Sequence, residues 1–143
     1  MTCCAVIDTN VLVSALLSPT DDAATVQVFT RMLSGEILPV YSRTILEEYR
    51  TVLRRERFGF SSERVDALVD AIQKLGISVD PKHLDISLPD MTDVPFYEVV
   101  MEKRDEGTYL VTGNLRHFPK ERFIVTPREM LEILDNQENH KGP

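Results

Sequence analysis

The sequence predicts an α/β protein whose central, mainly parallel β-sheet is covered by helices on both faces. Short apolar stretches alternate with amphipathic helical stretches along the chain, which is the pattern of successive strand–helix units. The apolar stretches are continuous runs, as in strands that are buried on both faces. The 143 residues contain no repeat, low-complexity segment or dividing linker, so we expect one domain over 1–134 and a flexible tail over 135–143.

The amino-terminal half of the chain predicts two strands and four helices. The run from Cys4 to Ile7 reads as a buried strand that ends at Asp8. In the second helix, Val26, Phe29 and Leu33 are expected to face inward. The predicted order is a strand over 4–7, helices over about 11–17 and 23–33, a strand over 37–41, and helices over about 43–55 and 62–75, the last with Ser61 as its N-cap and Gly76 after its end.

The carboxy-terminal half predicts three strands and two helices. The final helix has a strong start in Thr126-Pro127-Arg128-Glu129, which combines a cap, a proline at the first helical position and the glutamate of a capping box. We expect this helix to end near Leu134. The predicted order is a short strand over 77–79, a loop over 80–89, a helix over about 93–104, a strand over 109–112, a turn at 113–114, a strand over 123–125 and the final helix.

Composition and charge exclude several classes of protein. No apolar run approaches the roughly 20 residues that cross a bilayer. The apolar start contains Asp8 and lacks the basic region of a signal peptide, so a signal peptide is not expected. The adjacent Cys3 and Cys4 predict buried free thiols of a cytoplasmic protein. The net charge of −7 argues against a general nucleic-acid coat protein, but not against an enzyme whose carboxylates hold divalent cations.

Polar residues follow two of the predicted strands directly. Asp8 comes at the end of the first strand, and Asn114 follows the strand over 109–112 by one glycine. In open parallel sheets, ligands bind outside the carboxyl ends of the strands, where both residues would lie. An acid that ends a buried strand is costly unless it is paired, caps a helix or binds a metal. Capping of the next helix is the simplest alternative for Asp8.

Helix geometry selects two further acidic residues. On the helix over 43–55, Glu48 borders the apolar face, whereas Glu47 points to solvent. A boundary glutamate that merely reaches water is the structural alternative for Glu48. Asp93 opens its helix, where the helix dipole favours an acid whatever its function. Asp90 competes with Asp93 but lies in a loop with no apolar register to fix its direction.

Three carboxylates and one amide are therefore predicted at the same edge of one sheet. Hard cations such as Mg²⁺ and Mn²⁺ prefer such oxygen ligands. The histidines are in no zinc-ligand spacing, and the sequence has neither a Gly-rich phosphate loop nor a Gly-x-Ser-x-Gly elbow. The pattern predicts a Mg²⁺ or Mn²⁺ site formed by Asp8, Glu48 and Asp93, with Asn114 beside it.

Five ordered motifs run over roughly residues 4–134. They are Val6-Ile7-Asp8-Thr9-Asn10-Val11-Leu12-Val13-Ser14-Ala15-Leu16-Leu17, Ser42-Arg43-Thr44-Ile45-Leu46-Glu47-Glu48-Tyr49, Asp93-Val94-Pro95-Phe96, Leu110-Val111-Thr112-Gly113-Asn114 and Ile124-Val125-Thr126-Pro127-Arg128-Glu129. Together these motifs resemble the PIN-domain family, in particular its VapC-like toxin components of toxin–antitoxin systems.

The resemblance implies a three-layer α/β/α sandwich and metal-dependent cleavage of RNA. Carried over to this sequence, Asp8, Glu48 and Asp93 match the family's acidic metal site, and Asn114 falls where many members have a fourth acid. An asparagine oxygen can still bind a cation, so this departure is compatible with a slower enzyme. The remaining matched positions are Asn10 and Thr112, which are expected to support the acids.

The expected partners follow from this assignment. Two basic clusters, one around Arg50 and one at 116–122, read most simply as solvated faces. Within them, Arg50, Arg116 and His117 are the candidates for contacts with the RNA backbone. A toxin would also require an antitoxin protein that occludes the site, and it would be expected to self-associate.

Two rival functions stay open at this point. The first is a catalytically weak PIN fold that binds RNA or protein, because of Asn114. The second is another doubly wound Mg²⁺ protein, such as a phosphatase or a receiver-like switch. Phosphatases of the aspartate type usually carry Asp-x-Asp after the first strand, and Asp8-Thr9-Asn10 has an amide at the second position.

Overall fold

The strands in the described part of this protein form a five-stranded parallel sheet in the order β3-β2-β1-β4-β5. The structure is a computed structural model that describes the backbone over residues 2–140 and the side chains over 2–137. The strands are β1 (Cys3–Ile7), β2 (Ile37–Tyr41), β3 (Ile77–Ser78), β4 (Tyr109–Val111) and β5 (Ile124–Val125).

Six α-helices in the described part of the chain complete a three-layer α/β/α sandwich. Helix α2 packs against α1 and α6, whereas α3 packs against α4 and α5. None of the described helices is both long and apolar enough to span a membrane. The helices are α1 (Thr9–Leu17), α2 (Ala24–Leu33), α3 (Arg43–Leu53), α4 (Ser62–Leu75), α5 (Val94–Lys103) and α6 (Pro127–His140).

The strand order reverses at β1, and this reversal positions the candidate site. In the sheet, β2 and β3 lie on one side of β1, whereas β4 and β5, which come later in the sequence, lie on the other side. The central strands are almost fully buried, as their continuous apolar runs predict. The carboxyl ends of β1 and β4 adjoin, since Ile7 pairs with Val111 and the backbone N–H of Asp8 donates to the carbonyl oxygen of Val111 at 3.0 Å. A crevice forms at such a switch point.

Two helices begin directly after the capping residues that the sequence predicts. The Ser61 hydroxyl accepts from the backbone N–H of Arg64 at 3.2 Å. At the start of α6, the Thr126 hydroxyl accepts from the backbone N–H of Glu129 at 3.1 Å, and the Glu129 carboxylate accepts from that of Thr126 at 3.0 Å. The predicted capping box is therefore confirmed.

Two details of the predicted helices are wrong. Helix α2 buries Val28 and Met32, whereas Leu33 is 46% exposed, so its inward face is rotated from the predicted one. Helix α6 passes its predicted end near Leu134 and continues to His140. Its last described turns are polar, so apolar periodicity gives no signal there, but side-chain contacts are present: the Asp135 carboxylate pairs with Arg31 at 2.9 Å, and Gln137 accepts from the thiol of Cys3 at 3.1 Å.

The predicted flexible tail includes residues 141–143, which lie outside the described part of the chain. The division into a domain over 1–134 and a tail over 135–143 stays a prediction. The two cysteines are free thiols, as predicted; Cys3 is buried and Cys4 is half-buried.

Candidate metal centre

Asp8 lies at the switch point with its carboxylate buried and hydrogen-bonded. The residue is only 4% exposed. Its Oδ2 accepts from the hydroxyl of Thr112 at 2.8 Å and from the amide of Asn10 at 3.3 Å. Asp8 occupies the N-cap position of α1, but its side chain makes no capping hydrogen bond. The geometry therefore favours a role for this carboxylate other than capping.

The surroundings of the Asp8 carboxyl group favour its neutral form over its ionised form. Burial, and then the charge of Asp93, raise the pKa of Asp8 to about 6, although the hydrogen bond from Thr112 opposes them. Among the described residues, no lysine or arginine forms an ion pair with this carboxylate. A buried carboxylate without a cationic side chain is a suitable ligand for a metal cation.

Asp93 is the second buried acid at this edge. It ends the 3-10 turn Met91–Asp93, directly before α5, and is 8% exposed. Its Oδ2 lies 3.1 Å from Nδ1 of His117. Burial, followed by the charge of Asp90, raises the pKa of Asp93, and His117 lowers it.

A group of three potential metal ligands forms around Asp93, which we call the Asp90–Asp93–His117 cluster. One ligand atom from each of the three residues lies within 4.8 Å of the other two. In a 3-10 turn, side chains three residues apart eclipse one another, which places Asp90 beside Asp93. Carboxylates suit Mg²⁺ and Mn²⁺, and imidazole suits several transition metals, so this donor set fits a divalent cation.

The cluster differs from the group of ligands that the sequence suggests. It contains Asp93, but also Asp90, whose direction the sequence does not fix, and His117, which is predicted as an RNA contact. In the described part of the chain, neither Asp8 nor Glu48 joins a comparably tight group of three. The spacing of three between Asp90 and Asp93 is a signal that could have identified Asp90, but nothing in the sequence pairs His117 with Asp93.

Glu48 of α3 is more buried than its neighbour Glu47, as the helix register predicts. It is half-buried, whereas Glu47 is exposed and lies 3.6 Å from Arg43 in a surface ion pair. The helix begins at the carboxyl end of β2 with Ser42 as its N-cap. Glu48 lies outside the Asp90–Asp93–His117 cluster.

Thr112 connects Asn114 to Asp8. The backbone N–H of Asn114 donates to the Thr112 hydroxyl at 3.0 Å, and that hydroxyl donates to Asp8. The Asn10 amide oxygen accepts from the backbone N–H of Gly113 at 3.3 Å. These bonds tie the loop after β4 to the end of β1, with Asn114 half-buried at the start of the 3-10 turn Leu115–His117.

Tyr49 is a supporting residue that sequence reasoning missed. It is fully buried on α3, and its hydroxyl donates to the carbonyl oxygen of Ile7 at 2.5 Å. Ile7 directly precedes Asp8, so this bond holds α3 against the end of β1. Its apolar register marks Tyr49 as a core residue, and the partner of its hydroxyl cannot be read from the sequence.

The three candidate RNA contacts have different surroundings. Arg50 is engaged with α4, since it lies 3.9 Å from Asp66 and 3.4 Å from Asp70. Arg116 is exposed beside the site. His117 belongs to the cluster around Asp93.

Comparison with known proteins agrees with the fold. The family model described as PIN domain matches residues 4–116, which include Asp8, Glu48, Asp93 and Asn114. No curated protein matches the chain. PIN domains bind nucleic acid and are commonly metal-dependent nucleases. Because the match covers well over half of its length, this chain belongs to the PIN-domain family.

Proposed function

We propose that this protein is a metal-dependent endoribonuclease. The observation that carries the proposal is a pair of buried carboxylates that follow or flank the central strands: Asp8 directly follows β1 and accepts from Thr112, and Asp93 lies in the group of potential metal ligands with Asp90 and His117. Neither carboxylate has a lysine or arginine within ion-pair distance in the described part of the chain. A divalent cation would neutralise their negative charge.

Asp8 and Asp93 are the proposed ligands of Mg²⁺ or Mn²⁺. Such an ion, when bound, lowers the pKa of water and stabilises negative charge on a phosphate. Thr112 and Asn10 fix the orientation of the Asp8 carboxylate, and His117 fixes that of Asp93. Glu48 and Asn114 are proposed to orient water beside the scissile phosphate.

RNA cleavage by purified protein tests the proposal. The wild type should cleave RNA in Mg²⁺ or Mn²⁺ and not in EDTA, and Asp8→Asn and Asp93→Asn should reduce cleavage to background. Asp105→Asn is the matched control, since Asp105 is exposed and precedes β4, away from the carboxyl edge. Full activity in either of the first two variants would reject the assignment.

The biological role that we propose is that of a cytoplasmic toxin in a toxin–antitoxin pair. The support is the resemblance of the ordered motifs to VapC-like proteins. An antitoxin protein would cover the metal centre, and self-association is proposed on the same ground. Induced expression should then arrest growth, and the Asp93→Asn variant, expressed at the same level, should not. Equal arrest by both proteins would contradict a nuclease toxin.

A catalytically weak binding module is the second candidate. The observation that favours it is the amide of Asn114, which stands at the rim of the site where many PIN domains carry an acid. The protein would then bind RNA in EDTA but show negligible cleavage in any divalent cation.

A further inference from the structure

Glu98 of α5 is an almost buried carboxylate that has no part in the candidate metal centre. Its side chain is only 12% exposed, and its neighbours Tyr97 and Val99 are buried. Glutamates are rarely buried in this way unless they are paired. Among the described residues, its one ion-pair partner is His83, at 3.1 Å, and the side chain of His83 is 85% exposed. The burial of Glu98 therefore has a further cause.

That cause is a contact with the chain between β3 and the turn before α5, residues 80–89, which we call the 80–89 loop. The backbone N–H of Leu84 donates to Oε2 of Glu98 at 2.7 Å. One turn further along α5, Oε1 of Glu102 accepts from the backbone N–H of Lys82 at 3.2 Å. Residues four apart on a helix lie on the same face. One face of α5 thus presents two carboxylates to the backbone of the 80–89 loop.

The 80–89 loop has few other polar attachments. It contains no helix or strand, and no backbone–backbone hydrogen bond among the described residues involves it. Leu84, Ile86 and Leu88 pack against the core, but apolar packing is not directional. The backbone N–H of Leu88 donates to the sulfur of Met91 at 3.5 Å, which is a weak and local contact. The bonds to Glu98 and Glu102 are therefore the directional contacts that place this loop on α5.

The 80–89 loop leads directly into Asp90, one of the potential ligands of the metal centre. Asp90 is exposed, and its Oδ1 accepts only local bonds, from the hydroxyl of Thr92 at 2.7 Å and from the backbone N–H of Thr92 at 3.0 Å. The path of the loop therefore influences where the Asp90 carboxylate lies. Glu98 belongs to the helix that begins directly after Asp93, so its bond to Leu84 attaches the loop to the element that carries Asp93.

We propose that Glu98 is a positioning residue of the metal centre, which acts through the 80–89 loop to hold Asp90 beside Asp93. This inference rests on the proposed function, because it requires a divalent cation at the Asp90–Asp93–His117 cluster. Without the bond to Glu98, the loop samples more conformations, and the cation must order it on binding. Residues that orient metal ligands without touching the metal commonly change its affinity by tenfold or more.

Two substitutions separate the reach of Glu98 from its charge. Glu98→Asp keeps the charge but withdraws the carboxylate from Leu84, whereas Glu98→Gln removes the charge but keeps an acceptor oxygen at the same reach. Asp135→Ala is the matched control, since it breaks another carboxylate contact between two elements, the 2.9 Å ion pair with Arg31. Arg31 lies near the end of α2, just before β2 begins, and so at the opposite edge of the sheet from the metal centre.

Calorimetric titration with Mn²⁺ measures the effect on the site. Glu98→Asp should bind Mn²⁺ about tenfold more weakly than the wild type. Glu98→Gln and Asp135→Ala should both bind close to the wild-type affinity. Wild-type affinity in Glu98→Asp would overturn the inference. An equal loss in Glu98→Gln would also overturn it, because the charge of Glu98 and not its hydrogen bond would then be responsible.

Hydrogen exchange in EDTA tests the contact without metal. The Leu84 amide should exchange faster in Glu98→Asp than in the wild type and in Glu98→Gln, while the amides of β1 exchange alike in all three and show that the fold is intact. Unchanged exchange at Leu84 in Glu98→Asp would overturn the inference.

The route through Asp90 is tested by combining two substitutions. Asp90→Asn should weaken Mn²⁺ binding, and adding Glu98→Asp to it should cause no further loss, because the positioned ligand is already gone. Additive losses, or wild-type affinity in Asp90→Asn, would overturn the inference.

The failure of the inference can be distinguished from failure of the proposed function. RNA cleavage by the wild type, together with unchanged Mn²⁺ affinity in Glu98→Asp, rejects the role of Glu98 alone. Mn²⁺ binding that depends on Glu98 as predicted, without cleavage of RNA, rejects the ribonuclease and leaves the positioning role in place. Wild-type protein that does not bind Mn²⁺ overturns the inference whatever its cleavage activity.

Discussion

At the scale of single residues, the buried carboxylate of Asp8 makes the metal-free protein less stable than it would otherwise be. Its pKa is about 6, against an ordinary value of 3.8, so the folded state favours the protonated form. A raised carboxyl pKa contributes stability at low pH, and that contribution is lost as the pH rises through the folded value. The free energy of unfolding should therefore fall as the pH rises from about 4 to about 6.

Asp8→Asn should stabilise the metal-free protein at pH 8. The shift in the pKa corresponds to about 3 kcal/mol, and the asparagine oxygen can still accept from Thr112 and Asn10. Urea denaturation in EDTA should show a gain of up to this size at pH 8 and almost none at pH 4. A variant less stable than the wild type at pH 8 would contradict the origin assigned to this pKa.

The same substitution should have the opposite effect when metal is present. A cation that binds only the folded state raises the melting temperature, and Asp8→Asn removes one of its ligands. Millimolar Mn²⁺ should therefore raise the melting temperature of the wild type more than that of Asp8→Asn. Equal shifts would exclude Asp8 from the site.

Asn114→Asp should strengthen the binding of divalent cations. The change adds a carboxylate at the rim of the site, where Thr112 connects residue 114 to Asp8. Calorimetric titration with Mn²⁺ should show tighter binding, and RNA cleavage should rise if the amide limits the rate. Asn136→Asp, on an exposed position of α6, is the control for the added charge. Weaker Mn²⁺ binding by Asn114→Asp would contradict a role for this position near the metal.

At the scale of elements, the site depends on how helices attach to strand ends. Helix α3 is tied to β1 through the Tyr49 hydroxyl, and the loop after β4 is tied to β1 through Thr112 and Asn10. Burial raises the pKa of Tyr49, so its hydroxyl remains a donor at physiological pH. The position of Asp8 thus depends on hydrogen bonds from α3 and from the loop after β4.

Tyr49→Phe should cost about 1–2 kcal/mol of unfolding free energy and should also weaken Mn²⁺ binding, because the buried Ile7 carbonyl loses its partner next to Asp8. Tyr41→Phe is the matched control, since its hydroxyl donates to Gln73 at 2.8 Å, away from Asp8. The control should lose stability without a change in Mn²⁺ affinity. Identical Mn²⁺ affinities for the two variants would show that the Tyr49 bond is purely structural.

Most elements of this fold were predictable because their signals are local. Apolar runs mark β1 and β2, and the capping box at Thr126 marks the start of α6. The end of α6 was not predictable, because it depends on polar contacts with Arg31 and Cys3, which are distant in the sequence. The inward face of α2 was predicted wrongly because apolar residues lie on more than one side of this helix. Val28 and Met32 are buried, whereas Leu33 is exposed.

At the scale of the whole molecule, the strand order creates the site. The polar residues of the site are far apart in the sequence. The reversal of strand order at β1 brings the segment before α5 and the segment after β4 to the end of β1. Parallel topology alone predicts that Asp8 and Asn114 share an edge. The contact between Asp93 and His117 depends on the path of two loops, which no local pattern specifies.

The distribution of charge also belongs to the whole molecule. A net charge of −7 opposes general attraction to nucleic acid, so the proposed ribonuclease would recognise RNA locally, at the candidate metal centre. Metal binding should make RNA affinity higher in Ca²⁺ than in EDTA, because the cation neutralises the carboxylates at the site. Filter binding at constant ionic strength measures this difference, and equal affinities would count against a metal at the RNA-binding edge.

Anomalous diffraction from a crystal soaked in Mn²⁺ shows directly whether the buried carboxylates hold a metal ion. We expect a manganese peak within bonding distance of the Asp93 carboxylate, between Asp8 and the Asp90–Asp93–His117 cluster, and loss of that peak in Asp93→Asn. A crystal that shows no manganese at this edge of the sheet, or shows it only at surface acids elsewhere, would rule out the proposed metal centre.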